Sequence, residues 1–119
     1  MISLNHAVRV FLHTPATDLR KGFDALSGLV TTAFAQDPTS GHLFLFVNRR
    51  RDRLKILYWD RDGFALWYKR LEKGTFRFPE AQGGRVEVTP AEMAAVLEGI
   101  DLSCARRSQR FALPGTKPA

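Results

Sequence analysis

Five segments rich in apolar, β-branched and aromatic residues follow one another between 43 and 89: LFLFVN, RLKILYWD, FALWYKRL, TFRFP and RVEVT. Only short polar links separate them, namely RRRD, DRDG, EKG and EAQGG. Links of that length join antiparallel neighbours, whereas a parallel pair needs a crossover of about a dozen residues or more. The spacing therefore predicts an antiparallel β-meander, with Gly63 and Gly74 supplying the positive φ that tight turns demand.

The flanking segments add one strand and two helices. VRVFLH (8–13) alternates Val8, Val10 and Leu12 against Arg9, Phe11 and His13, which reads as a strand with one well-buried face. After Pro15, Leu19, Phe23, Leu26, Val30 and Phe34 recur at helical spacing through TDLRKGFDALSGLVTTAF, with Thr17 or Asp18 as N-cap. Gly22 and Gly28 weaken that helix by roughly 1 kcal/mol each relative to Ala, and either could mark a close approach to the sheet. TPAEMAAVLEGI carries Thr89 as N-cap, Pro90 at the first helical position and Glu92 three residues after the cap, a capping box ahead of the stripe Met93, Val96, Leu97 and Ile100. The expected fold is α+β: an antiparallel meander sheet with two helices packed on one face, in one domain over 1–102. Residues 103–119 are expected to form a basic, weakly ordered tail. Leu26, Val30, Leu45, Ile56, Leu66 and Val96 are the expected core.

At 119 residues the chain has room for one core. No apolar run approaches the roughly 20 residues of a membrane-spanning helix, so no membrane segment is expected. The N-terminus lacks the pattern of a secretory signal, and Cys104 is the sole cysteine. No disulfide framework is available, and a cytoplasmic location is expected.

The net charge of +6 is unevenly spread. Residues 1–47 balance, 48–73 carry +5, 74–102 carry −3 and 103–119 carry +4. Thirteen of the eighteen bases are Arg, whose planar fork suits bidentate contact with phosphate or carboxylate. In a meander the RRRD and EKG links lie at the same end of the sheet. Arg49, Arg50, Arg51, Arg53, Lys55, Lys69, Arg70 and Lys73 are therefore expected to form one positive rim, with Asp52 and Glu72 as partial counter-ions. Such a rim fits a phosphate backbone; it also fits a charged edge that blocks sheet aggregation. Arg20 and Lys21, in the expected first turn of the first helix, add a second place to hold phosphate at exposed N–H groups, unless Asp18 and Asp24 simply pair with them. Tyr58, Trp59, Trp67 and Tyr68 are interleaved with these bases and could stack on unpaired bases, although core packing is the simpler use of strand aromatics.

Signals for catalysis are poor. Asp60-x-Asp62 suits a tight turn better than Mg²⁺. His6, His13, His42 and Cys104 have no metal-ligand spacing, Ser40 near His42 has no third member of a triad, and no phosphate-cradling Gly loop is present. Neither a cofactor nor a metal is expected.

The order DLRKGFDALSGLV, SGHLFLFVNRRRDRLKILYWDRDGFALWYKRLEKGTF, VTPAEMAAVLEGID resembles the accessory proteins encoded by the second open reading frame of bacterial insertion sequence 66 elements, the TnpB proteins of that family, which are distinct from the RNA-guided nuclease of the same name. The similarity covers roughly residues 2–102; at Phe78, before Pro79, this chain departs from the Trp frequent in the family. The resemblance implies a non-catalytic role in transposition beside a separate transposase, with DNA at the element ends, the transposase, or both as partners of the basic rim. The alternative is a pure protein-interaction module docking on an acidic transposase surface. A small metal-dependent nuclease using Asp60, Asp62 and Glu72 is the weakest reading, since a meander puts Glu72 at the opposite end of the sheet from the two Asp residues. Nothing in the pattern sets the oligomeric state.

Overall fold

Successive residues of a strand point to opposite faces of its sheet, and all five positions of β2 (Leu43–Val47) are buried. Both faces of the sheet must therefore be covered. In the structure, a computed structural model that describes residues 7–79 and 85–103, one helix covers each face. Helix α1 (Phe23–Ala33) sets Leu26 and Val30, with Leu19 and Phe34, against Phe11, Phe44, Phe46 and Leu57. Helix α2 (Pro90–Leu97) sets Met93 and Val96, with Phe76 and Phe78, against Val10, Leu12, Leu43, Leu45, Val47, Leu54 and Ile56. The expectation of two helices on one face is thus corrected. Two alternating sets of apolar side chains require two covers.

The sheet is mixed, with order β4-β3-β2-β1-β5. Its edge strands are β4 (Gly63–Arg70) and β5 (Arg85–Val88); β3 (Arg53–Asp60) lies between β4 and β2, and β1 (Val10–His13) between β2 and β5. The antiparallel meander holds only for β2-β3-β4. Strand β1 pairs parallel to β2, with Val10 opposite Leu43, and antiparallel to β5. Parallel pairing is possible because α1 supplies the long crossover that hairpin links cannot. With neighbours on both sides, β1 buries Val10 and Leu12 on one face and Phe11 on the other, rather than one face alone.

TFRFP is not a strand. Phe76 N–H donates to the Arg51 carbonyl at 2.7 Å, and Phe76 and Phe78 enter the core on the α2 side, so this segment lies over one face instead of extending the sheet. Helix α1 also starts later than its periodicity implies. Thr17 N–H donates to the Val47 carbonyl at 2.8 Å and Lys21 N–H to the Asp18 carbonyl at 3.1 Å, which folds 17–21 into a turn of its own. Gly22 is the N-cap, no side chain caps the helix, and Phe23 is left 47% exposed. A Cβ added at Gly22 or Gly28 would meet nothing within 4 Å, so neither marks a close approach. In the β3–β4 turn the positive φ falls on Arg61 (58°) rather than Gly63, while Gly74 (84°) does adopt it.

The capping box of α2 forms as read: Glu92 N–H donates to Thr89 Oγ1 at 3.0 Å, and Thr89 N–H to Glu92 Oε1 at 2.8 Å. The helix stops at Leu97, which takes Ile100 out of the stripe and leaves it exposed. Leu26, Val30, Leu45, Ile56 and Val96 are buried, and Leu66 is half-buried beside the α1 cluster. Among the described residues no helix is long and apolar enough to cross a membrane. His6, Cys104 and the tail beyond Ser103 lie outside the described residues.

Burial separates two substitutions that periodicity treats alike. Ile56→Ala should lower the unfolding free energy by about 2–5 kcal/mol, and Phe23→Ala by no more than about 0.5 kcal/mol. Urea denaturation of each variant against the parent chain measures both.

Candidate nucleic-acid interface

The register of β3 and β4 fixes where the basic residues go. Arg53 pairs with Arg70 at one end of the hairpin and Asp60 with Gly63 at the other. At about 3.3 Å per residue these ends are some 23 Å apart. Leu71 N–H donates to the Asp52 carbonyl at 2.7 Å, which carries the pairing one step beyond β4. The 48–52 loop and the 71–74 segment therefore share one end, as a hairpin requires. Glu72 is at that end and Asp60 and Asp62 are at the other, so the three carboxylates form no cluster.

Asn48 organises the loop. Its side-chain Nδ2 donates to Asp52 Oδ1 at 2.7 Å, its Oδ1 accepts from Arg53 N–H at 3.0 Å, and its carbonyl accepts from Arg51 N–H at 3.1 Å. The Asn48 amide, with Arg53 and Arg50 adding less, holds the Asp52 carboxyl below its ordinary range. Arg51 takes a left-handed φ of 62°. That reversal splits the arginine run: Arg49 and Arg50 are exposed, whereas Arg51 turns its guanidinium inward to donate to the Thr14 carbonyl at 2.9 Å.

Between this loop and the 16–20 turn lies a groove of about 630 Å³. Arg20, Arg49, Arg50, Arg53 and Tyr68 line it, together with Asp18 and Asp52. Arg20 is fixed by a fork onto Asp18, with Nη2 to Oδ2 at 2.7 Å and Nε to Oδ1 at 3.0 Å, and its own N–H also donates to Asp18 Oδ1. These bonds hold the Asp18 carboxyl far below the usual carboxylate range. Next to the groove, Lys55 Nζ donates to the Lys21 carbonyl at 3.0 Å and lies 4.9 Å from the Tyr68 ring centroid.

The residues expected to share one rim thus divide. Arg49, Arg50, Arg53 and Arg20 come together in the groove, with Lys55, Lys21 and Arg70 beside it. Arg70 is forked onto Glu72 at 2.8 Å. Arg51 belongs to a second hollow, lined also by Thr14, Phe76, Arg77 and Phe78. Lys69 pairs with Leu54, whose side chain is in the α2-side core, so it leaves β4 toward the other face. Lys73 is exposed in the bend after β4. Arg20 and Lys21 precede α1 instead of opening it, so the helix N-terminus holds no anion through them, and Asp18 is the partner of Arg20.

Two features of the site escape a reading by residue type. Asn48 gives no charge or motif signal, and its sole cue is a position between a strand and a turn. Tyr68 looks like another strand aromatic, yet it is 49% exposed. The two described histidines serve the fold: His42 Nδ1 accepts from Arg9 N–H at 3.0 Å, and His13 packs against Phe34 and Phe46, where burial pushes its pKa down. Ser40 Oγ accepts from His42 N–H, a turn contact. Asp62 N–H bonds the Asp60 carbonyl at 2.6 Å in the β3–β4 turn. Among the described residues no three His, Cys, Asp or Glu side chains gather as metal ligands.

The family model described as IS66 Orf2-like protein matches residues 8–107. Two relatives from Sinorhizobium fredii, the uncharacterized proteins y4jC and y4hO, are similar along nearly their whole lengths. The first is 36% identical over 107 residues, 90% of this chain and 92% of its own. The second is 38% identical over 101 residues, 85% of this chain and 88% of its own. No solved structure matches.

Two outcomes test this geometry. Asn48→Ala, which strips the loop of its central acceptor and donor, should cost about 1–3 kcal/mol in chemical denaturation. In an NMR pH titration the Asp18 carboxyl should titrate well below the ordinary value of 3.8, and Arg20→Gln should return it toward that value. Because the folded-state pKa is depressed, the contribution of the pair is present above 3.8 and is lost as pH falls through the lowered value.

Proposed function

The chain belongs to the IS66 Orf2-like protein family, and from that footing we propose that it is a non-catalytic accessory factor for transposition of a bacterial insertion sequence, acting in the cytoplasm by binding nucleic-acid phosphates in the arginine groove. The family itself associates the chain with insertion-sequence transposition. The observation that carries the finer reading is the convergence of Arg20, Arg49, Arg50 and Arg53 on one groove from segments some thirty residues apart in sequence. Exposed guanidinium groups on loops and at a strand's start neutralise phosphates, while the bases are left to be read elsewhere. When DNA ends are brought together, such neutralisation lowers the repulsion between them. Sequence reading and strand cutting then belong to the separate transposase.

A second reading follows from the same chemistry, because Arg20 is already seated on a carboxylate in a forked geometry. An acidic surface of the transposase would present the groove with the same group.

Replacing Arg49, Arg50 and Arg53 together by Ala should reduce the slope of log K against log salt on duplex DNA by about 2 to 3, at roughly 0.9 per phosphate contact. The loss should be similar on element-end and random DNA. Arg51→Ala serves as the internal control: it should destabilise the fold and leave the slope unchanged. If the triple variant stays folded with its DNA affinity and slope intact, the phosphate reading fails. Loss of transposase capture by that variant after nuclease treatment would then favour the acidic-surface reading.

A further inference from the structure

Of the four Tyr and Trp side chains on the β3–β4 hairpin, Tyr58, Trp59 and Trp67 are half-buried and only Tyr68 is exposed. Tyr68 is also the one aromatic lining the arginine groove. Its orientation is held from two sides: Arg53 Nη1 donates to its hydroxyl at 3.3 Å, and the Lys55 ammonium, itself anchored on the Lys21 carbonyl, sits over its ring. A strand aromatic that served the core would be turned inward, and one that served only solubility would need no such fixing.

The charge of the lining is moderate. Four guanidinium groups face two carboxylates, Asp18 and Asp52, which leaves a net charge of +2. Coulomb attraction to a phosphate chain is therefore only part of what this groove offers. A half-exposed aromatic ring beside exposed guanidinium groups is an arrangement suited to unpaired bases, since every base has a face to stack while the backbone follows the positive wall. A duplex keeps its bases stacked within itself and presents phosphates only, so it can reach Arg49 and Arg50 but has nothing to place on Tyr68. The volume of about 630 Å³ is that of a site for a small-molecule-sized unit, such as a nucleotide or two.

We propose that the groove is a single-strand site, in which one unpaired base stacks on Tyr68 while the adjoining phosphates lie against Arg20, Arg49, Arg50 and Arg53. This rests on the nucleic-acid reading above and adds to it a preference for unpaired strand. Because stacking is less sensitive to salt than phosphate contact, the preference for single strand grows as salt is raised.

The test is fluorescence anisotropy on the full chain with a labelled mixed-sequence oligonucleotide, alone and annealed to its complement, at several salt concentrations. The parent protein should bind the single strand at least 10-fold more tightly at the highest salt that still gives measurable binding. Tyr68→Ala should lower single-strand affinity by about 5- to 150-fold, the range that removal of one base-stacking aromatic produces, and should change duplex affinity less than about two-fold. Tyr68→Phe, which keeps the ring and loses the hydroxyl contact to Arg53, should retain single-strand binding. If Tyr68→Ala does not fold, Tyr68→Leu, which has no π-face, takes its place with the same expectation. Equal effects of the Tyr68 variants on both forms, no effect on either, or a parent preference for duplex would overturn the single-strand site. If that happens while the triple arginine variant still lowers the duplex salt slope, phosphate binding stands without the strand preference. Absence of binding to both forms by the parent chain overturns both.

Discussion

The rest of the molecule depends on the burial of β2 on both faces. Leu43, Leu45 and Val47 enter one core and Phe44 and Phe46 the other, so neither helix is dispensable. Strand β2 also needs a neighbour on each side, met by β1 and β3. The aromatic core on the α1 face shows how closely this is packed: the Phe34 ring lies 5.4 Å from Phe44 and 5.9 Å from Phe46, tilted and edge-on rather than face-to-face, as ring quadrupoles favour. Both walls of the candidate site hang from the end of the same strand. The Val47 carbonyl holds Thr17 and with it the 16–20 wall, and the next residue, Asn48, holds the arginine loop. A surface groove is thereby tied to the most deeply buried element of the fold, which sets the backbone positions from which its arginines extend.

The three consecutive arginines are not equivalent, and the cause is one backbone angle. A positive φ at a residue with a side chain costs on the order of 1–2 kcal/mol, and at Arg51 it is offset by contacts on both sides: the guanidinium reaches the Thr14 carbonyl and the Arg51 carbonyl accepts from Phe76 N–H. Arg51 thus ties β1, the loop and the segment after β4 together. Its two predecessors are released to solvent. Identical residues side by side acquire a structural role and a surface role because the chain reverses between them.

Edge protection and ligand binding, which a charge count cannot distinguish, separate by position. Lys69 and Arg70 occupy the exposed end of β4, one of the sheet's two edge strands, where charges discourage pairing with another chain. Arg70 is moreover held by Glu72. These two residues are accounted for without a ligand. Arg49, Arg50 and Arg20 are on loops rather than on an edge strand, so the same explanation does not reach them directly, and Arg53, although it begins a strand, points its side chain toward Tyr68 in the groove. The likeness to the two Sinorhizobium proteins extends over nearly the whole chain rather than a short motif, as expected if the fold that brings these segments together is shared.

What the sequence by itself determined was local. The hairpins over 43–70, the capping box at Thr89 and the apolar stripes of both helices depend on residues close together in the chain, where turn length, propensity and periodicity act directly. The order of the segments also carries the resemblance to the family. Tertiary structure decided the partners of β1, the face taken by each helix, the fate of TFRFP and the exposure of Phe23 and Tyr68. Each of these turns on which distant segment covers a given surface, and residue type carries no record of that. A Phe at helical spacing looks apolar-facing until Thr17 is captured by Val47 and the helix begins six residues later. A Tyr on a strand looks buried until the strand proves to be an edge. The convergence of the basic links was legible from hairpin geometry, but its reduction to a groove of four arginines was not, because that depends on the φ of Arg51 and the fork of Asp18 onto Arg20, and both are settled only when the loops pack against the end of β2.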